Sequence, residues 1–222
     1  MCAIISPMKL DKTQFLILYH AREVERPTNT GKLIQLLFPG NTHSFVWSRT
    51  DPQLELLSLL ENHECSPIVL FPEIEHHYDA PPHEQLGTQL ALEHINPSGS
   101  YLFVLLDGRY SEAKRMLNRS TYLLKLDRLS LPPRTDEDPA LQERYMLRKA
   151  SDPSKLATVV AAAAALHLVG DHAAGSALSS LFSHFQSIYH LDRLNIVAPL
   201  ATTSFLSASS SSSSLPHSPF DS

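Results

Sequence analysis

Residues 101–106 read Tyr-Leu-Phe-Val-Leu-Leu, a strand-length run with no polar alternation. A strand with one wet face alternates in character. An unbroken apolar run needs cover on both faces, which a parallel sheet between helices provides. Three further runs suit strands: Phe15–Tyr19, Ser44–Trp47 and Pro67–Phe71. Helical spacing fills the intervals. Leu33, Ile34, Leu36 and Leu37 follow the first run. Asp51-Pro52 reads as cap and first residue of a helix with Leu54, Leu57 and Leu60 as its buried stripe. Tyr110, Ala113 and Leu117 mark a helix after Gly108, and a shorter one is expected near Glu84 to Leu92. The expected class is α/β, a parallel sheet with flanking helices.

The alternation changes after Leu131. Residues 132–139, rich in Pro, Asp and Glu, read as an exposed loop. Two helices follow, one marked by Leu156, Val159, Val160, Ala163 and Leu166, the other by Leu178, Leu181, Phe182, Phe185 and Ile188. Both are expected to pack on the same sheet. Ser209 to Ser214 is unbroken serine with Pro216 and Pro219 behind it, a composition unable to bury enough surface to order itself. The expected organisation is one domain over residues 1–200 and a disordered Ser-rich tail over 201–222.

No run approaches the roughly 18 apolar residues of a membrane span. The start lacks the basic flank and long apolar core of a signal peptide. A cytoplasmic protein is expected, with no membrane partner; oligomeric state is left open. Cys2 and Cys65 are too few for a disulfide framework or an all-Cys zinc site, and Cys65 reads as a buried, inert thiol at a strand start. His76, His77 and His83 share an acidic stretch with Glu73, Glu75 and Asp79 but lack metal-ligand spacing, so no metal is expected.

The net charge of −5 argues mildly against nucleic acid, but its distribution does not. No Lys or Arg occurs between Asp51 and Gly108, while ten Asp and Glu do; the remainder carries 18 basic and 13 acidic residues. Arg109, Lys114, Arg115, Arg119, Lys125 and Arg128 face only Glu112 and Asp127 in the stretch from 109 to 128. Such segregation can create a basic face on an acidic protein. A merely solvated helix face is the competing reading.

Three segments at element ends carry candidate chemistry. The first is His20 to Gly31, between a strand and a helix, where eight of twelve side chains are polar or charged. Ligands of open α/β sheets collect at strand carboxyl ends and helix N-termini. The second is Asp107-Gly108-Arg109-Tyr110, closing the most apolar strand with a carboxylate and a glycine. The third is Tyr145-Met146-Leu147-Arg148, with Lys155 to Thr158 opening the next helix.

Together, His20, Glu23, Arg26-Pro27-Thr28-Asn29-Thr30-Gly31, Asp107-Gly108, Tyr145 to Arg148 and Thr158 resemble the DTW-domain family of tRNA-uridine aminocarboxypropyltransferases. The resemblance runs from about Cys2 to about Tyr189. It implies a SPOUT-like fold with a knotted C-terminal half. It also implies transfer of the 3-amino-3-carboxypropyl group of S-adenosylmethionine to N3 of a tRNA uridine, leaving methylthioadenosine. Asp107 is the expected catalytic base, since uridine N3 must lose a proton to become a good nucleophile. Arg26, Thr28, Asn29, Thr30, Gly31, Gly108, Arg148 and Thr158 are the expected S-adenosylmethionine contacts. His20, Glu23, Arg109, Tyr110, Lys114 and Arg115 are the expected RNA contacts. The family pattern of Asp, any residue, Thr, Trp is here Asp107-Gly108-Arg109-Tyr110, and Val160 stands where the family usually has Glu. Tyr110 can still stack on a base. Of the cysteine cluster that can hold zinc in related proteins, only Cys2 matches. A relative that binds RNA or S-adenosylmethionine without transfer is the alternative, and an unrelated α/β enzyme the more distant one.

Overall fold

In the computed structural model, residues 6–62, 64–72, 86–131 and 156–193 are described, with side chains as far as Tyr189. The 101–106 run lies in strand β5 (Tyr101–Asp107), buried at every residue. It pairs in parallel with β1 (Thr13–Tyr19) on one side and β3 (Ser66–Leu70) on the other. β2 (Thr42–Val46) extends the sheet beyond β1. Two short strands, β4 (Gln89–Leu90) and β6 (Asp127–Leu129), complete a parallel order β2-β1-β5-β3-β6-β4.

Both faces of β5 are covered, which is why its sequence never alternates. Tyr101, Phe103 and Leu105 enter one apolar cluster with α1 (Gly31–Leu37), α5 (Thr158–Leu168) and α6 (His172–Arg193). Leu102, Val104 and Leu106 enter the other, with α2 (Leu54–Glu61), α3 (Tyr110–Asn118) and α4 (Thr121–Leu124). At the junction of α5 and α6, Gly170 takes φ +86°, a conformation that L side chains rarely adopt. That turn folds α6 back along α5, so the late helices do join the sheet's own core.

Several expectations need correction. α2 begins at Leu54, after Gln53, because the Asp51 amide donates to Ser48 Oγ in a turn ahead of the helix. Leu54 is therefore 82% exposed, and Leu56 and Leu60 form the buried stripe. Between 86 and 91 the chain is extended at β4 rather than α-helical, held by Gly87 N–H to Leu124 O and by Thr88 N–H to Asp127 Oδ1, and only a single 3-10 turn, Leu92–His94, follows. β6 escapes sequence reading because three residues carry no period. Within it Arg128 is buried, donating Nη2–H to Gly87 O, and so leaves the expected basic face. Cys65 precedes β3 and is only partly buried, its thiol pushed up by burial and by the charge of Glu64. Ile188 is exposed on α6. The expected loop 132–139, the tail from 201, Cys2, His76, His77, His83 and the Tyr145–Arg148 segment lie outside the described residues, as does the 132–155 connection on which a knot would depend.

Candidate functional site

The strand ends bring the first two segments together. Tyr19 and Asp107 are register partners, so β1 and β5 end side by side. The His20 N–H donates to Asp107 O at 2.9 Å, and the Trp47 N–H donates to Tyr19 O at 2.8 Å. Three neighbouring strands thus deliver His20, Asp107 and Trp47 to one edge of the sheet. Asp107 is 6% exposed. Thr158, the first residue of α5, donates its hydroxyl to Asp107 Oδ1 at 2.7 Å, which fixes the carboxylate's orientation. A residue 51 positions away in sequence therefore positions the candidate base.

Gly31 explains how Asp107 and Tyr19 can lie so close to α1. A Cβ added there would stand 3.0 Å from Tyr19 Oη and Cε1 and 3.1 Å from Asp107 Oδ2. The Tyr19 phenol is pushed up to about 12, chiefly by burial and then by the Asp107 charge, against a smaller opposite pull from Ser44. It stays neutral across the physiological range. A Gly31→Ala protein should remain folded but shift the Tyr19 ring and the Asp107 carboxylate by tenths of an ångström. Misplacement of about 1 Å can cost roughly 100-fold in rate, so a loss of several-fold to tenfold is expected in kcat, measured beside an unchanged melting curve.

The His20–Gly31 turn is built largely from its own polar groups. Amide donations run from Glu23 to His20 O, from Arg26 to Glu23 O and from Asn29 to Arg26 O. Glu23 is fully buried, and its Oε1 accepts from Arg26 Nη1 at 2.7 Å. Asn29 Nδ2 donates to Glu23 O, while Asn29 Oδ1 accepts from the Gly31 N–H. Glu23 and Asn29 thus tie the turn together, and one amide expected to meet a ligand is taken internally. Removing Arg26 would take its ion-pair partner from a buried carboxylate, a costly loss. Thr30 is buried at the α1 N-cap without capping by its side chain, and Thr28 is half-buried.

On the other flank of Asp107 lies a cavity of about 120 Å³. Leu70, Phe71 and Pro72 at the end of β3, Leu105, Leu106 and Gly108 around the end of β5, and Thr158 and Ala161 of α5 line it. Tyr110 and Ala113 of α3, with Leu131 and Leu156, complete the wall. The Tyr110 ring stacks on Phe71 with centroids 5.7 Å apart. Asp107 does not itself line the cavity; its neighbours Leu106 and Gly108 and its partner Thr158 do. The structure thus divides the candidate residues. Gly108, Tyr110 and Thr158 face the cavity, whereas Arg26 and Thr28 to Gly31 lie on the β1 side of Asp107. Arg148 lies outside the described residues.

Sequence reading missed Tyr19, Phe71 and Trp47. Trp47, the one tryptophan of the chain, donates Nε1–H to Ser120 Oγ and stacks on His20 with centroids 6.2 Å apart. His20 Nδ1 is 3.9 Å from Glu112 Oε1, and Glu112 Oε2 accepts from the Arg109 N–H. A lone aromatic residue at a strand's carboxyl end was the available signal. Val160 is buried in the apolar layer below the site. Among the described residues, no three His, Cys, Asp or Glu side chains gather as a metal site, and no helix is long and apolar enough to cross a membrane.

The model of one protein family, the DTW domain, matches residues 1–190, most of the chain. No solved structure matches it.

Proposed function

Because the chain belongs to the DTW-domain family, which is consistent with tRNA modification, we propose that it transfers the 3-amino-3-carboxypropyl group of S-adenosylmethionine to N3 of a tRNA uridine. The observation that carries this reading is Asp107, oriented by Thr158 at the sheet's carboxyl edge between a cavity of mixed polar and apolar lining and a polar turn. The same reading includes a SPOUT-like fold with a knotted C-terminal half and a cytoplasmic protein.

The residues fit this chemistry in parts. The cavity is well below the roughly 300 Å³ at the lower end of complete small-molecule sites, so it suits one planar portion of a ligand. Its Phe71–Tyr110 wall offers an aromatic surface for adenine or uracil. Arg26 uses Nη1 to hold Glu23 but keeps 31% of its side chain exposed, and its remaining guanidinium donors suit a carboxylate. S-adenosylmethionine supplies an electrophilic carbon bound to a sulfonium sulfur. Asp107 takes the proton from uridine N3 as that nitrogen bonds to the carbon. The carbon–sulfur bond breaks with its electron pair passing to sulfur, and neutral methylthioadenosine leaves. Thr158 keeps the carboxylate aimed, so that positioning and proton removal together lower the barrier.

Incubation with S-adenosylmethionine labelled in its aminocarboxypropyl group and unfractionated tRNA tests the proposal. Nucleoside mass analysis should find labelled aminocarboxypropyl-uridine together with released methylthioadenosine. No labelled nucleoside under any condition would sink it. The sequence departures at Arg109, Tyr110 and Val160 favour a second reading, a relative that binds without transfer. That protein would retain salt-sensitive tRNA binding and release no methylthioadenosine.

A further inference from the structure

From residue 109 to residue 125 the chain carries Arg109, Lys114, Arg115, Arg119 and Lys125 against a single carboxylate, Glu112. The fold withdraws that carboxylate. Glu112 is 7% exposed, turned toward His20 and bonded to the Arg109 amide. Ala113, Met116 and Leu117 also point inward, leaving Arg109, Arg115, Arg119 and Lys125 exposed. None of these four forms an ion pair among the described residues. The helix gains little from this arrangement: Arg109 stands at its N-terminal end, where the dipole disfavours cations, while Arg115 in the last turn and Arg119 at the C-cap are favoured by the dipole but repel each other at i,i+4 spacing. Solvation alone would be served equally well by a face of mixed charge.

The face is also fixed in place beside the candidate site. α3 starts three residues after Asp107. Trp47 Nε1–H to Ser120 Oγ and Tyr122 Oη–H to Ser48 O tie it to the loop after β2. Exposed Arg22 and Arg49 lie on the two segments that follow β1 and β2. α2, on the same side of the sheet, carries Glu55 and Glu61 and no cation, so among the described residues the helical cations of that side lie on α3 and at the ends of α3 and α4. The partly exposed Trp47–His20 stack lies at the edge nearest the site. Cations alone would fit any polyanion; cations around an aromatic stack fit phosphates with bases attached.

We infer that the solvent face of α3 and α4 is the docking surface for the phosphate backbone of a structured RNA, delivering a base across the Trp47–His20 stack to the edge marked by Asp107. This rests on the RNA-modifying reading above. The test is fluorescence anisotropy of labelled unfractionated tRNA against the full chain across a salt series. An Arg115→Gln/Arg119→Gln/Lys125→Gln protein, checked by its melting curve, should bind about tenfold more weakly. The slope of log affinity on log salt should fall by about 2–3, near one for each phosphate contact removed. A Lys9→Gln/Lys12→Gln protein, changed on a different part of the surface, should keep the wild-type slope. Wild-type binding with an unchanged triple variant overturns the surface and leaves the transfer reading standing. Failure of the wild type to bind tRNA, or tighter binding of poly-glutamate through the same three residues, overturns the RNA assignment itself. Transfer to a free uridine nucleoside by a chain without tRNA affinity would overturn both the surface and the RNA assignment while leaving the transfer chemistry standing.

Discussion

An Asp107→Asn protein is expected to lose aminocarboxypropyl transfer by about 100- to 10,000-fold, the usual contribution of a positioned proton acceptor. The substitution is nearly isosteric. The oxygen of the introduced amide can still accept from the Thr158 hydroxyl, which is 2.7 Å from the native carboxylate, and backbone bonding to His20 does not involve the side chain. What disappears is the ability to take a proton. Single-turnover rates at saturating tRNA measure this directly, with tRNA affinity and the melting curve as controls. A variant transferring at the wild-type rate would remove Asp107 as base and move attention to the polar turn on the β1 side.

Truncating Phe103 to alanine should produce the largest loss of stability, about 3–5 kcal/mol. Phe103 is fully buried in the middle of the central strand. Its ring lies 5.6 Å from Tyr101 and 6.3 Å from Phe15, and the sheet on either side fixes the backbone, so collapse around the void is restricted. Typical domains are stable by only about 5–15 kcal/mol, so the change removes a large share of the total. Urea unfolding should show a lower midpoint at unchanged slope. A loss below about 1 kcal/mol would mean that the layer under α1 and α5 repacks more readily than its contacts indicate.

The two predictions differ in how far their residues could be read in advance. The importance of Phe103 follows from its run, because six adjacent apolar side chains cannot all be hidden on one face of a strand. Asp107 is legible as the polar end of that run, but its partner is not. Thr158 opens a helix 51 residues later and meets the carboxylate only because α5 returns over β5. The same limit applies to β4 and β6. These strands are defined by their neighbours in the ladder, and two or three residues are too few to show a period. Arg128 reads as surface charge until β6 places it beneath Gly87.

Polar residues in the His20–Gly31 turn illustrate a further physical limit. Side-chain donors and acceptors in a sequence can be satisfied by a ligand or by the chain itself, and both leave the same letters. Here Glu23 and Asn29 are consumed by Arg26, the Glu23 carbonyl and the Gly31 amide, so they shape the turn. Tyr19 shows the reverse. It looks like the last apolar residue of β1, yet its hydroxyl ends against α1 beside Asp107.

By itself the sequence determined a parallel α/β sheet, the places of its four long strands along the chain, the family, and the strand ends at which chemistry should be sought. These are local properties of period, run length and motif. Only the tertiary structure decided which polar groups are internal, which of them flank Asp107, and which cations remain on the surface. Those outcomes depend on contacts between residues tens of positions apart, and no local pattern encodes where a returning helix will set its first hydroxyl.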